Sequence, residues 1–595
     1  MKLQLHESGM TSGVLKWVGG LGLVAVLSLS AEAGERVALW PEGKIPDFQP
    51  HQIGAMTDES GQKGFVADEH RMPYLEWMDP PAASNANGGV MILISGGSYT
   101  CCCDVDLIKD WNKRFTADGW QCVNLVYRTP RAKGLPIYQS AWEDGQRAVR
   151  LVRIEARKRQ LDLTRVGAIG MSAGAHLTMM LATCSQTPAY PAVDEVDREP
   201  CHVDFAFPCA VPYGLSDAVG VPATRNGNAI DCKLTGEFKF DAKTPPMCFF
   251  HGGADVYSPS HTTMIYRELR KRKMPAEIHL FADSSHGGFW TRDWYETATG
   301  FLRKRNLDKK RGPAVEIETR FPEDVAGVAY EKQDIWPKGR IPDLSTNQCM
   351  PYLEWWVPSN LTTKAIQIVY SGGGYWDNHP EKWDGVPAVR RFLNAKGMAV
   401  VVLKYRTPNT DPQFAKHTRP WQDLQRCIRL VRQGAKARGL DPQRIGIMGS
   451  SAGGHLTLMG ATSAKSRSYW NVDAVDKLPC NVQWAVAIYP AYALTDGADQ
   501  PNKTGGNDDS ARLVPEFAFD LDTCPVLFLH GDADGWAAMN SVKCWEQLRR
   551  MGIQGELHTL VDCGHCFMMK AEEGTGAYNW LNRIWSFLSH KKLNK

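Results

Sequence analysis

The sequence predicts an α/β fold that occurs twice in tandem, each copy with a mostly parallel sheet flanked by helices. Short apolar runs alternate with amphipathic helical stretches, a pattern typical of a parallel sheet covered by helices. The motif Gly-x-Ser-x-Gly occurs at 170–174 and again at 449–453, and long segments around it repeat. A chain of 595 residues has room for two such units of about 270 residues each.

The predicted elements follow the same order in both copies. In the first copy, strands are predicted at 90–94, 122–127, 166–169, 247–250 and 278–281, with a helix at 141–158 whose apolar residues share one side. The second copy repeats the strands at 366–370, 400–403, 445–448, 526–529 and 556–560, and a last helix is expected at 578–588. The first copy carries about 18 extra residues between Asp47 and Met72, a length that a loop absorbs at little cost.

Each motif has two companions at a constant spacing. The first set is Ser172, Asp255 and His286, and the second set is Ser451, Asp534 and His565, 279 residues later at every position. A serine hydroxyl needs a base to act as a nucleophile, and a Gly-x-Ser-x-Gly turn between a strand and a helix exposes the serine to such a base. Because the chain order Ser, Asp, His is that of α/β-hydrolases, we expect two catalytic triads on two tandem α/β-hydrolase domains.

Other duplicated residues compete for the base and acid roles. The competing histidines are His176 and His455, His251 and His530, and His279 and His558; the competing carboxylates are Asp283, Asp562 and, in the second copy alone, Asp532. The first histidine pair lies on the helix just after the serine and is expected to pack, and the other two pairs end or lie inside strands. Only His286 and His565 follow the last apolar strand in a loop. Asp255 and Asp534 are preferred because a carboxylate three residues before the histidine is less able to orient its ring.

Preorganised N–H donors are needed wherever acyl transfer creates an oxyanion. One donor is predicted to be the amide after each nucleophile, Ala173 or Ala452. The other donors are predicted in two Gly-rich turns, at Gly97 and Ser98 in the first copy and at Gly373 and Gly374 in the second. Glycine lets such N–H groups approach a substrate oxygen, so the second turn is predicted to form the more effective oxyanion hole.

No metal or organic cofactor is expected. Cys563 and Cys566 flank His565 in a pattern that zinc sites share, but His565 already has a triad role and the first copy has no cysteine there. Most of the sixteen cysteines fall outside the repeat register, with Cys201 and Cys480 as the exception. The matched stretches 142–147 and 421–426 are expected to cap a helix N-terminus and to brace it with polar side chains.

The N-terminus predicts export. Lys2 and Lys16 precede an apolar run at 17–30 that ends in Ala31-Glu32-Ala33, the form of a secretory cleavage site. An uncleaved membrane anchor is the alternative. The predicted boundaries are a signal peptide at 1–33, a first domain at 34–307, a linker at 308–330 and a second domain at 331–595. We expect the mature protein to be secreted or periplasmic.

The net charge bears on the partners of the protein. A formal charge of +3 gives no basis for binding nucleic acid or an anionic membrane. We therefore expect neither partner for the mature chain, and the oligomeric state stays open.

The segments 371–375, 404–406, 422–423, 441–446 and 449–456 resemble bacterial acetyl xylan esterase-like and feruloyl esterase-like α/β-hydrolases. Prolyl oligopeptidase-type hydrolases are related to this group. The resemblance covers nearly all of both copies, and the first copy departs from it at Ser98, Met171 and Ala175.

The resemblance implies a serine carboxylesterase that removes acetyl or other small acyl groups from polysaccharide and needs no cofactor. Two alternatives remain open. One is a serine peptidase of prolyl oligopeptidase type, although the chain lacks a propeller-like repeat. The other is a carbohydrate-binding protein in which one or both hydrolase domains are inactive.

We predict that the mature chain begins near Gly34, because Ala31-Glu32-Ala33 follows an apolar core of suitable length for a signal peptide. Mass spectrometry of the N-terminal peptide from exported protein checks this. An intact Met1 in a membrane fraction would support the anchor instead.

Overall fold

The structure is a computed structural model. It describes residues 34–52, 73–216, 232–308, 324–382, 385–495, 511–520, 522–569 and 579–594. The predicted signal peptide, most of the extra segment before Met72 and most of the predicted linker lie outside the described residues.

Sixteen strands form one continuous sheet, eight from each copy of the repeat. The first unit contributes β1 (Glu35–Ala38), β2 (Tyr74–Trp77), β3 (Val90–Ile94), β4 (Gln121–Val126), β5 (Val166–Met171), β6 (Phe205–Cys209), β9 (Met247–Gly252) and β10 (Ala276–Phe281). The second unit contributes β11 (Val328–Asp334), β12 (Tyr352–Pro358), β13 (Ile366–Tyr370), β14 (Ala399–Lys404), β15 (Ile445–Ser450), β16 (Trp484–Ile488), β19 (Val526–Gly531) and β20 (Glu556–Leu560). Two short hairpins stand apart, β7 (Leu215–Ser216) with β8 (Lys233–Leu234) and β17 (Leu494–Thr495) with β18 (Arg512–Leu513).

The strand order is the same in both units. It runs β1-β2-β4-β3-β5-β6-β9-β10 in the first and β11-β12-β14-β13-β15-β16-β19-β20 in the second. Strands β1, β2, β11 and β12 pair antiparallel at the outer edges, and the strands between them and the junction pair in parallel. The predicted α/β class with two tandem α/β-hydrolase domains is confirmed.

Helices cover both faces of the sheet. They are α1 (Val105–Ala117), α2 (Gln139–Lys158), α3 (Ala173–Thr183), α4 (Ser260–Lys271), α5 (Trp294–Lys304), α6 (Val386–Ala395), α7 (Thr418–Gly434), α8 (Ala452–Thr462), α9 (Met539–Arg550) and α10 (Trp580–His590). The core under α2, α3, α4, α7, α8 and α9 is continuous across both units, whereas the opposite face holds two separate cores, under α1 with α5 and under α6 with α10. Burial on both faces explains why the central strands read as unbroken apolar runs.

The predicted strands are confirmed, with ends that differ by one or two residues, and the last helix is α10. The predicted helix cap is wrong. Helix α2 begins at Gln139 and its N-cap residue, Tyr138, makes no side-chain cap, so Asp144 lies inside the helix.

The polar brace predicted for the same stretch is confirmed. The Asp144 carboxylate accepts hydrogen bonds from Trp40 Nε1 at 2.6 Å and from the backbone N–H of Arg128 at 2.7 Å. Asp423 accepts the matching bonds from Trp336 and Arg406 in the second unit. The carboxylate therefore ties the helix to the segments that follow β1 and β4 rather than to its own N-terminus.

The two units join where β10 pairs antiparallel with β20. His279 lies opposite His558, and their Nδ1 atoms are 3.0 Å apart. Glu277 accepts a hydrogen bond from the backbone N–H of Val561 at 2.7 Å, and Glu556 binds Arg292 Nη2 at 2.9 Å. The edge of each sheet is thus covered by the other unit, which removes the unpaired edge that an open sheet would expose.

Ion pairs across the junction use the carboxylates that competed for the acid role. Asp283 lies 2.5 Å from Lys591 Nζ, and Asp562 lies 3.2 Å from Arg305 Nη2. Asp532 pairs with Arg270 Nη1 at 3.0 Å. These three carboxylates connect the units.

None of the helices in the described part of the chain combines the length and apolar character that crossing a bilayer requires.

Replacing Arg292 by alanine should lower the free energy of unfolding by about 3–5 kcal/mol, because it leaves the buried Glu556 without its cation. Urea denaturation followed by tryptophan fluorescence measures the change. The matched control is Lys158→Ala, which removes an exposed pair with Glu155 and should cost less than about 1 kcal/mol. Equal effects of the two substitutions would contradict the role assigned to the junction pair.

Candidate active site

A sharp turn carries each serine of the repeated motif. Strand β5 ends at Met171 and α3 begins at Ala173, so that Ser172 stands between them with φ 54° and ψ −123°. Ser451 has the same conformation between β15 and α8, with φ 56° and ψ −121°. A serine with positive φ is strained, and such strain is typical of a functional turn.

The flanking glycines are required by close approach of the backbone. A Cβ at Gly170 would lie 2.2 Å from the carbonyl oxygen of Gly174. A Cβ at Gly453 would lie 2.6 Å from the carbonyl oxygen of Ser371. No larger residue fits these positions without moving backbone, so the motif spacing follows from close backbone contacts within the turn and with the residue after β13.

The second site contains a continuous hydrogen-bonded chain. Ser451 Oγ lies 2.8 Å from His565 Nε2, and His565 Nδ1 lies 2.7 Å from Asp534 Oδ2. The backbone N–H of Trp536 donates to the other oxygen of Asp534 at 2.8 Å. With Nδ1–H directed at the carboxylate, Nε2 is left to accept the serine proton.

The first site has the same acid and histidine but a different serine contact. His286 Nδ1 lies 2.9 and 2.8 Å from the two oxygens of Asp255, and the N–H of Tyr257 donates to this carboxylate at 2.8 Å. Ser172 and His286, both among the described residues, share no hydrogen bond. The two sites therefore differ at the link between serine and histidine.

A second histidine stands behind each acid, and the sequence reasoning missed its contact with the carboxylate. His251 Nε2 lies 3.2 Å from Asp255 Oδ2, and His530 Nε2 lies 3.4 Å from Asp534 Oδ2. The hydroxyls of Thr262 and Ser541 bind the Nδ1 atoms of these two histidines. The available signal was the repetition of His-Gly-x-x-Asp in both copies, which places the histidine four residues before the acid.

These contacts keep the acids ionised. Burial raises the pKa of Asp255 and of Asp534, but hydrogen bonds from two histidines outweigh burial and hold each pKa well below its usual value. Each carboxylate is thus negative at neutral pH and able to stabilise a protonated ring at His286 or His565.

The other duplicated histidines do not reach the serines. His176 and His455 are buried and bind the hydroxyls of Tyr99 and Tyr375, at 2.8 and 2.9 Å. The expectation that these two histidines pack is confirmed. His279 and His558 lie at the junction of the units.

The Gly-rich turns present backbone N–H groups beside the serines. Positive φ angles occur at Gly97 (121°), Ser98 (53°), Gly373 (88°) and Gly374 (61°). Within the described ranges, the N–H groups of these four residues donate to no protein acceptor, so they are available to a ligand oxygen. The amides of Ala173 and Ala452 open helices α3 and α8, where a first-turn N–H has no partner in its own helix.

Aromatic residues follow both turns, but only one of them is accessible. Tyr99 and Tyr375 are 1% and 2% exposed, so they are packing residues. Trp376 is 53% exposed, with Lys416 Nζ 4.9 Å from its ring centroid. A substrate group could therefore stack on a ring beside the second turn.

The sixteen cysteines form no disulfide. Cys563 accepts a hydrogen bond from Lys304 Nζ at 3.1 Å, across the junction. Cys201 and Cys480 repeat one contact, since each thiol donates to a matched carbonyl, of Ser185 at 3.2 Å and of Ala464 at 3.1 Å. Packing explains the shared register of this cysteine pair.

A family model described as BD-FAE matches residues 78–231 and 353–543, more than half of the chain. The chain is 26% identical over 210 residues to Endo-1,4-beta-xylanase B of Butyrivibrio fibrisolvens. The aligned segment is 33% of this chain and 32% of that protein. The chain is also 36% identical over 108 residues to an acetylxylan esterase of Xylanibacter ruminicola. That aligned segment is 18% of this chain and 20% of that protein. The matches thus span a third or less of these relatives' own lengths.

Two solved structures are similar to parts of the chain. An acetyl ester-xyloside bifunctional hydrolase from Caldicellulosiruptor lactoaceticus has a TM-score of 0.37 and 24% identity, covering 44% of this chain and 97% of that chain. An esterase from Thermogutta terrifontis, Est2, has a TM-score of 0.36 and 18% identity, covering 46% of this chain and 96% of that chain.

Proposed function

The chain belongs to the BD-FAE family, and from this premise we propose that it is an exported serine carboxylesterase with two catalytic sites. Its substrates are acetyl or other small acyl esters of polysaccharide. The single observation that carries the proposal is the chain of hydrogen bonds from Ser451 through His565 to Asp534. A carboxylate, an oriented imidazole and a strained serine at hydrogen-bond distance are the parts that acyl transfer needs.

The proposed mechanism is acyl-enzyme formation followed by hydrolysis. His565 Nε2 takes the Ser451 proton while Oγ attacks the ester carbonyl carbon, and the imidazolium then returns that proton to the departing alcohol. Water, deprotonated by the same imidazole, attacks the acyl-enzyme and releases the acid and free Ser451. Ser172, His286 and Asp255 act in the same way in the first unit.

The proposed oxyanion holes are formed by backbone N–H groups. The donors are Gly97, Ser98 and Ala173 in the first unit and Gly373, Gly374 and Ala452 in the second. Three observations support this assignment: the positive φ angles in the turns, the unpartnered N–H groups and the helix N-termini beside the serines. Loss of one such donor typically costs about 10²–10³ in rate.

The substrate class rests on similarity. One relative is an acetylxylan esterase and another is an endo-1,4-β-xylanase, so we assign this chain to the removal of acyl groups from plant polysaccharide. The exposed Trp376 ring beside the second turn supports the recognition of a sugar or an aryl acyl group. We also propose a secreted or periplasmic location and a two-domain mature chain, with boundaries as predicted from the sequence.

Ser451→Ala should remove more hydrolysis of p-nitrophenyl acetate than Ser172→Ala, because the second turn has Gly374 where the first has Ser98. The double variant should lose roughly 10⁴-fold or more of kcat. The measurements are kcat and kcat/KM for the three variants, with circular dichroism as the folding control.

Labelling with a fluorophosphonate counts the reactive serines independently of any substrate. Two labels are expected on the wild type, one on each single variant and none on the double variant. A larger loss from Ser172→Ala would reject the ranking of the sites. Full labelling of the double variant would reject both proposed nucleophiles. An unlabelled wild type would favour the alternative that the chain is a carbohydrate-binding protein with inactive hydrolase domains.

The natural substrate needs its own comparison, because an apolar pocket separates acyl groups by only about 1–3 kcal/mol per methylene. We expect release of acetate from acetylated xylan, or of ferulate from a feruloyl oligosaccharide, and no cleavage of a proline-containing peptide. The double variant Ser172→Ala/Ser451→Ala serves as the control for contaminating esterase. Peptide cleavage without ester hydrolysis would favour the peptidase.

A further inference from the structure

Three potential metal ligands converge in the second unit behind the Gly-rich turn. His455 Nε2 lies 3.1 Å from Glu516 Oε1, and His417 Nδ1 lies 3.4 Å from the same oxygen. One ligand atom from each residue lies within 4.8 Å of the other two. None of these three side chains belongs to the proposed triad.

The spacing fits a tetrahedral zinc ion. Zinc binds imidazole nitrogen and carboxylate oxygen at about 2.0–2.2 Å, so two ligand atoms of one ion lie roughly 3.4 Å apart. The separations of the two imidazole nitrogens from Glu516 Oε1, 3.1 and 3.4 Å, are already close to that value. Two imidazoles with one carboxylate are a ligand set that zinc accepts and that magnesium and calcium disfavour.

The surroundings support metal binding in two further ways. Tyr375 OH binds His455 Nδ1 at 2.9 Å, which orients the ring and leaves Nε2 for a metal once the hydrogen is on Nδ1. The side chains of His417 and Glu516 are 23% and 21% exposed, so an ion can reach them from solvent and a fourth position can hold water.

The first unit provides an internal comparison. His176 and Glu237 occupy the matching places with Nε2 and Oε1 3.3 Å apart, and Tyr99 OH binds His176 Nδ1. The place of His417 is taken by Tyr138, whose ring centroid lies 5.4 Å from that of His176. The histidine–glutamate pair thus belongs to the shared fold, and the third ligand is particular to the second unit.

We propose that His417, His455 and Glu516 form a Zn²⁺ site that the first unit lacks. His417 directly precedes α7, His455 lies in α8 and Glu516 lies in the segment 511–520, so one ion connects three parts of the second unit. Because Tyr375 follows Gly374 directly and binds His455, the ion also stabilises the Gly-rich turn. This site does not depend on the proposed esterase activity.

The test uses the full chain, freed of metal with a chelator and titrated with Zn²⁺ by calorimetry, with elemental analysis of the dialysed protein. We expect one Zn²⁺ per chain for the wild type and a higher Tm with zinc. His417→Tyr, which installs the residue of the first unit, should weaken binding by about 100-fold or more and abolish the Tm shift. Tyr138→His should raise the stoichiometry to two.

Two controls address the other cysteine and histidine clusters. Cys566→Ser removes a thiol beside His565, and Cys248→Ser removes a thiol from the buried group of Cys248, Glu277 and His279. Both variants should still bind one Zn²⁺.

Where His417→Tyr does not fold, Glu516→Gln replaces it, because the amide oxygen still accepts from His455 but is a poor zinc ligand. Full binding in His417→Tyr or Glu516→Gln, loss of binding in either cysteine variant, or no binding by the wild type would overturn the proposal.

Discussion

The antiparallel pairing of β10 with β20 is the constraint on which the rest of the molecule depends. Each proposed active-site histidine follows one of these two strands, His286 after β10 and His565 after β20. Each proposed acid, Asp255 or Asp534, follows the strand next to it. The pairs of loops that complete both sites therefore extend from the four strands at the centre of the sixteen-stranded sheet.

The junction is polar where a sheet interior is usually apolar. The Nε2 atoms of His279 and His558 lie 3.2 and 3.1 Å from Glu277 and Glu556, in addition to the close approach of their Nδ1 atoms. Burial lowers the pKa of both histidines. Such a cluster is costly unless every member has a partner. The partners come from the other unit, from the same strand and, for Glu277, also from Cys248 on β9. The two edges are thereby specific for each other.

The two units keep one framework and differ at single positions that matter chemically. Asp532 meets Arg270 across the junction, whereas the matched position in the first unit is Gly253, whose carbonyl accepts from Arg549. Ser98 stands where the second turn has Gly374, and Tyr138 stands where the second unit has His417. Duplication allows such divergence, because one unit can change while the other retains the original contacts.

Much of this protein could be predicted from the sequence alone, namely the two units, the positions of their central strands along the chain, the sharp turns that carry the serines, and the placement of the proposed histidine and acid in loops after particular strands. These features are local, because a strand, a tight turn and the residue after a strand are encoded within a few neighbouring positions. The prediction of a helix cap at Asp144 was wrong because the contacts of this residue are not local in the sequence. Its partners Trp40 and Arg128 are distant in sequence, and nothing near it in the chain shows which group it binds.

Only the tertiary structure decided which edges of the two sheets meet, which carboxylates connect the units, and which histidine stands behind each acid. It also brought His417 and Glu516 to His455, from separate parts of the second unit. All of these contacts join residues on different elements. Their pairing follows from the packing of whole strands and helices, which residue spacing along the chain does not specify.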